Sequence, residues 1–250
     1  MLKHPTIDKL LEMKLVGMVR ALQQQVDMKE LQSLSFEDRL GLLIDAEFSE
    51  RESSLLTKRL KSARLRQPAC IEDIDFKGAR GLDKRLVGQL ASCTWINERL
   101  NVLITGKTGV GKTYVACALA QKACRLGHTV IYFRAPRFFQ ELTVARINGS
   151  YSRLLKRLQS FEILLLDDFA LVPITEEQCR DMLEVADDRC GRGSFIMSSQ
   201  LPVKEWHQTF SNATLADAIL DRVVHGSYRL DLLGPSRRKP KNGGNESEDT

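Results

Sequence analysis

No apolar run in this 250-residue chain approaches the roughly 18–20 residues that a membrane-spanning helix needs, so a helical membrane protein is not expected. The start, Met1-Leu2-Lys3-His4-Pro5, has no apolar core behind its charge, and secretion is not expected either. The six cysteines, Cys70, Cys93, Cys117, Cys124, Cys179 and Cys190, never form a C-x-x-C pair. The four histidines are equally scattered, so no metal-site spacing is present and the thiols read as reduced, buried and cytosolic. No internal repeat appears. Charge of one sign is also scarce: a net +5 is too mild to indicate nucleic-acid binding by itself, and its distribution matters more.

What remains is a soluble globular composition, 43% hydrophobic and 28% charged, which excludes a disordered or fibrous chain. The length suits one ordinary domain plus a smaller appendage. Residues 1–67 read as helical. Leu11, Leu15, Met18 and Leu22 fall on one helical stripe. Ser35-x-x-Asp38 can cap a second helix with an apolar face of Leu40, Leu43, Ile44 and Phe48, running on to Arg66 before Pro68. Its last turns carry Lys58, Arg59, Lys61, Arg64 and Arg66 with no acid among them. Such a cluster is either a solvated face or a phosphate-contacting patch, since clustered Lys and Arg displace counterions from a polyanion.

After a connector around 68–81 the pattern changes to alternating strands and helices. Strands are expected at 101–105, 129–133, 161–166, 194–198 and 227–232. Helices are expected at 112–126, with Val115, Leu119, Ala123 and Leu126 inward, and at 136–147 and 151–159. Two more follow, one after the Thr175-x-x-Gln178 cap and one at 215–224. This is an α/β grammar that implies a parallel sheet flanked by helices across 68–234. The remainder, 235–250, is basic and then polar and reads as a disordered tail.

Gly106-Lys107-Thr108-Gly109-Val110-Gly111-Lys112-Thr113 fits G-x-x-x-x-G-K-[ST] without a mismatch and sits after a strand, opening a helix. Backbone N–H groups of such a loop converge on phosphate oxygens, and the helix adds the positive end of its dipole. Lys112 is expected on the β- and γ-phosphates of a nucleoside triphosphate, and the Thr113 hydroxyl on Mg2+. Downstream, the apolar run Ile163–Leu166 ends in Asp167 and Asp168. An acid at the C-terminal edge of a parallel strand points into the ligand crevice. Asp167 fits the Mg2+ role and Asp168 that of polarising the attacking water.

With these motifs the module resembles an AAA+ P-loop ATPase core. That resemblance implies that Gln200, ending Phe195-Ile196-Met197-Ser198-Ser199-Gln200, senses the γ-phosphate from a strand between the two phosphate-site strands. It also implies that Arg222, in Asp221-Arg222-Val223-Val224-His225-Gly226, acts in trans as an arginine finger. The chain more narrowly resembles the IstB-like helper ATPases of bacterial insertion sequences. The resemblance runs through Leu15-Val16-Gly17-Met18, the stretch from Leu34 to Leu40, Ile71-Glu72-Asp73-Ile74-Asp75, and Gly81-Leu82-Asp83. It continues in Ser198–Val203 with Trp206-His207, and in the stretch from Leu215 to Gly226.

It implies a bacterial, cytoplasmic, ATP- and DNA-dependent homo-oligomer that binds double-stranded DNA and recruits or stimulates a cognate transposase, with ATP hydrolysis as the switch. It also favours the DNA reading of the Lys58–Arg66 patch. Two departures stand out. Asp168 stands where many AAA+ proteins have Glu, which implies slow hydrolysis. Only 28 residues follow Arg222, too few for the usual C-terminal helical lid, so that Arg237 or Arg238 is left as a substitute for its second sensor arginine. A helicase loader is the alternative, a P-loop small-molecule kinase a remoter one, and a DNA-binding protein that only holds ATP follows if Asp168 fails as a base.

Overall fold

In the computed structural model, which describes residues 5–27, 34–76 and 81–237, the leucine stripe at the start of the chain is carried by two helices rather than one. α1 (Pro5–Glu12) ends where Lys14 turns left-handed, φ 60°, and α2 (Val16–Asp27) begins two residues later. The Leu15 N–H reaches back to the Leu10 carbonyl and the Lys14 N–H to that of Leu11, a Schellman stop built on lysine instead of glycine. Periodicity persists across such a stop, so it is invisible in the stripe.

α3 (Phe36–Ala63) starts at the expected cap: the Asp38 N–H donates to Ser35 Oγ, whose hydroxyl donates to the Asp38 carboxylate. Its expected apolar face is not a buried one, for Leu40, Ile44 and Phe48 are exposed. Glu47 is buried instead, and its Oε2 accepts from the Gly17 N–H at 2.8 Å and the Met18 N–H at 3.3 Å, capping the start of α2. Gly17 is required there, because a Cβ would stand 2.6 Å from the Ala46 carbonyl oxygen. The helix stops at Ala63, before the expected Arg66, as Arg64 turns left-handed at φ 51°. The chain divides into two units at Lys61 and Ser62, so residues 62–67 group with the sheet.

The second unit opens with two helices that the sequence patterns did not reveal, α4 (Lys84–Ala91), capped by Asp83 accepting from the Arg85 N–H, and α5 (Thr94–Asn97). Then follow β1 (Asn101–Gly106), α6 (Lys112–Arg125), β2 (Val130–Arg134), α7 (Ala135–Ile147), α8 (Tyr151–Gln159) and β3 (Ile163–Phe169). α9 (Glu176–Arg189), β4 (Ser194–Ser199), a 3-10 turn Val203–Thr209, α10 (Ala213–Val224) and β5 (Ser227–Leu232) complete it. The five strands form one parallel sheet in the order β2-β3-β4-β1-β5.

The apolar strand runs become its buried middle, with Val102–Ile104, Ile163–Leu166 and Ile196–Met197 each inaccessible to solvent. Thr175 and Gln178 form the expected capping box of α9. Leu126, expected inward, is half exposed at the end of α6, just before Gly127 turns the chain. Among the described residues no helix follows β5; Arg238 and the rest of the tail lie outside them.

Three polar anchors fix the sheet's surroundings. Buried Asn101 accepts from the Phe195 N–H and donates to the Val223 and Arg222 carbonyls, tying β1 to β4 and to the end of α10. Arg189, buried at the end of α9, donates to the carbonyls of Leu158, Phe161, Glu162 and Ser194, and burial pushes its pKa down to about 10. Trp206 is fully buried against Phe169, and its indole N–H donates to the Leu201 carbonyl, which folds the Leu201–His207 stretch into its 3-10 turn. Cys93, Cys117, Cys124 and Cys179 are buried as expected, and burial pushes the first two thiols up to about 11. Cys70 is partly exposed, and Cys190, ending α9, is exposed.

Candidate nucleotide site

β1 delivers the glycine loop and β3 the acid pair, and β4 lies between them in the sheet. All three therefore end at the same edge, as ligand crevices of open parallel sheets require. The loop's glycines take conformations that other residues resist, with φ of 141°, 86° and 104° at Gly106, Gly109 and Gly111. At Gly109 packing adds a second constraint: a Cβ would collide with Ser236, and the Arg237 N–H donates to the Gly109 carbonyl. Lys112 is almost fully buried, and its ammonium donates to the Lys107 carbonyl at 3.0 Å.

Asp167 is wholly buried, yet its carboxylate is surrounded by donors. The Thr113 hydroxyl is 3.0 Å from both of its oxygens, the Tyr132 hydroxyl donates to Oδ2 at 3.0 Å, and Ser198 donates to Oδ1. Burial, together with the Asp167 charge, pushes the Tyr132 hydroxyl well above its ordinary pKa, so it remains a donor. Thr113 and Asp167, adjacent and oxygen-bearing, are the donor set a Mg2+ ion takes when nucleotide phosphates supply its other ligands. Among the described residues no cluster of three His, Cys, Asp or Glu offers an all-protein cage.

Asp168 sits at a kink. The register between β3 and β4 shifts after Leu166, and Asp168 adopts φ 58°, uncommon for a residue with a side chain. The kink sends successive carboxylates in different directions, Asp167 inward and Asp168 toward the cleft, where Arg134 Nε and Nη2 donate to its Oδ2 at 3.1 and 2.8 Å. Gln200 lies one residue past β4, and its side-chain oxygen accepts from the Thr108 hydroxyl at 2.6 Å. Glycine loop, Asp168 and Gln200 thus meet in one cleft of about 720 Å3, also lined by Asp75, Arg66 and Arg237, with Asp167 buried behind Thr113. Arg237 donates to Asp75 at 2.7 Å.

Of the other expected residues, Arg66 and Arg237 line this cleft and Arg222 does not. Arg222, near the end of α10, donates to Asp187 of α9 and to the Ala218 carbonyl, and does not line the cleft. Of the basic cluster, Lys58, Arg59 and Lys61 lie on the last turns of α3, and Arg64 lies past its end. Arg66 departs from the expected DNA face: its guanidinium is 3.4 Å from Asp167 and 3.7 Å from Asp168.

Sequence reading also missed a groove of about 1020 Å3 along α7 and α8, lined by Arg134, Arg137, Arg153 and Arg157. Its signal was present in composition, for residues 134–157 hold Arg134, Arg137, Arg146, Arg153, Lys156 and Arg157 against one acid, Glu141. Glu141 pairs with Arg137, whereas Arg153 and Arg157 are exposed with no ion-pair partner among the described residues. Ile147, 82% exposed, forms the tip between the two helices.

Comparison with known proteins gives a consistent result. The IstB-like ATP binding protein family matches residues 8–243. Protein y4pL of Sinorhizobium fredii, named as an insertion-sequence ATP-binding protein, is 46% identical over 239 residues, covering 96% of this chain and 98% of its own. A protein of Pseudomonas aeruginosa named for ATP binding in insertion sequence IS21 is 31% identical over 220 residues, 88% of this chain and 82% of its own. Among solved structures, DnaI superposes with a TM-score of 0.58 at 17% identity, over 68% of this chain and 96% of its own, a likeness of fold. No helix of the described residues is long and apolar enough to cross a membrane.

Proposed function

We propose, given that this chain belongs to the IstB-like ATP binding protein family, that it is an ATPase which binds double-stranded DNA as a homo-oligomer and assists a cognate transposase. The observation that carries the reading is the meeting of Lys112, Thr113, Asp168 and Gln200 in one cleft at the strand ends, with Asp167 bonded to Thr113 beneath it. Loop N–H groups and Lys112 bind the β- and γ-phosphates of ATP. Thr113 and Asp167 hold Mg2+, which when bound neutralises phosphate charge. Asp168 orients and polarises the attacking water once its Oδ2 is released by Arg134. Gln200, already bonded to the loop through Thr108, reports the γ-phosphate to β4.

Arg222 serves the neighbouring copy. Its absence from the cleft of its own chain supports that role, because a cation is needed to offset transition-state charge and α10 offers it at another surface. The arginine groove supports DNA binding: the exposed guanidiniums of Arg153 and Arg157, without ion-pair partners among the described residues, suit a polyanion, and phosphate contacts of this kind carry little sequence preference. Lys58, Arg59 and Lys61 are a second candidate surface for the same partner.

The test is the ATP hydrolysis rate against protein concentration, with and without duplex DNA, for the parent and Arg222→Ala. A specific rate that climbs with concentration and DNA, and collapses in the variant, supports the shared-site ATPase. A flat rate indifferent to DNA and to Arg222 sinks it and moves the assignment to a P-loop kinase.

A further inference from the structure

Arg66 reaches the site from neither the phosphate loop nor a strand, but from the segment that precedes the sheet. Its Nη1 lies 3.4 Å from Asp167 Oδ2 and 3.7 Å from Asp168 Oδ2, between the acid fitted to the metal and the acid fitted to the water. Neither carboxylate depends on it. Asp167 already accepts from the hydroxyls of Thr113, Tyr132 and Ser198, and Asp168 accepts from Arg134 at shorter range. The side chain is 44% exposed and lines the cleft with Lys112 and Gln200. Burial works against its charge, yet Tyr132 and the two carboxylates hold the guanidinium above its ordinary pKa, so it remains a cation at any working pH.

We propose that Arg66 is a phosphate-binding residue for ATP, contributed in cis, and that it contacts the terminal phosphate. The inference rests on the ATP reading of the cleft. A water addressed by Asp168 has to stand beside the phosphorus under attack, which is the terminal one. A guanidinium beside that carboxylate is therefore at the γ end of the cleft, where it adds to Lys112, which spans the β- and γ-phosphates. Thr113 and Asp167 would hold a divalent cation that balances the Asp167 charge, which would leave the Arg66 guanidinium to the phosphate oxygens, whose geometry its planar fork matches. ADP lacks that phosphate, so Arg66 gives the site a preference for ATP.

The experiment is equilibrium binding of fluorescent ATP and ADP analogues in Mg2+, by anisotropy, to the full chain and to Arg66→Ala. The expected result is an ATP affinity lower by about tenfold, the loss of one charge-assisted contact, with ADP affinity changed less than about twofold. Arg66→Lys, which keeps the charge without the fork, is expected to recover part of the preference. Should the alanine variant not fold, Arg66→Gln carries the same comparison. Equal losses for both nucleotides, as a merely structural arginine would give, overturn the proposal, and so does an unchanged ATP-to-ADP ratio. Failure of the parent chain to bind either nucleotide overturns the ATP reading and this inference with it.

Discussion

Replacing Arg134 with glutamine is expected to speed ATP hydrolysis while leaving ATP affinity unchanged. In the structure two nitrogens of Arg134 donate to a single oxygen of Asp168, the carboxylate assigned to the attacking water. That oxygen cannot address water and both N–H groups equally well, so the pair restrains the base. The Arg134 side chain is 49% exposed and Asp168 15%, so solvent discounts the pair heavily. Exposed pairs contribute roughly 0.2–1 kcal/mol, and the double donation to a shielded carboxylate argues for the upper end, about 1 kcal/mol. If that restraint is released before the chemical step, its removal raises the rate about fivefold.

Single-turnover hydrolysis at saturating ATP and Mg2+ reads the chemical step directly, and equilibrium ATP binding serves as the control. Arg134 also lines the arginine groove, so a polyanion there competes for the same guanidinium. The variant is therefore expected to be fast without DNA and to gain less from adding it. Slower single-turnover hydrolysis in Arg134→Gln would refute the reasoning and make Arg134 a residue that holds Asp168 in its working position.

Two further predictions follow from other parts of the structure. Arg153→Ala with Arg157→Ala is expected to weaken duplex binding without affecting ATP affinity, and to lower the slope of log affinity against log salt by about 2, read from salt titrations. Asn101→Ala removes a buried side chain that bonds one N–H and two carbonyls, and is expected to cost about 2–3 kcal/mol in urea unfolding. It should also lower Arg222-dependent activity, because Asn101 ties down the end of α10.

The parallel sheet was legible because buried strands write themselves as apolar runs: the strands expected at 101–105 and 194–198 are β1 and β4, while the one expected at 161–166 starts two residues later and runs on through the acids to Phe169. The glycine loop was equally legible, since its conformation needs glycine at fixed spacing and its chemistry needs Lys112 and Thr113 beside it. Capping residues announced α3 and α9 for a similar reason: the cap's side chain satisfies the bare N–H three residues along, locally. α4 and α5 went unseen, being short helices of 8 and 4 residues with too few turns to show a period. The break at Lys14 went unseen because lysine, not glycine, took the left-handed position.

The sequence by itself determined the glycine loop with Lys112 and Thr113, because that geometry is local to contiguous residues. Tertiary structure alone decided which distant residues share the cleft. Arg66, Arg134 and Gln200 meet Asp167 and Asp168 because β4 lies between the two site strands and the chain kinks at φ 58° after Asp167. It also decided that Lys58 and Arg66, eight residues apart in a basic run, have different surroundings, and that six scattered cations include four lining one groove. Side-chain identity records what a residue can do; its partner depends on packing between segments that local spacing does not encode.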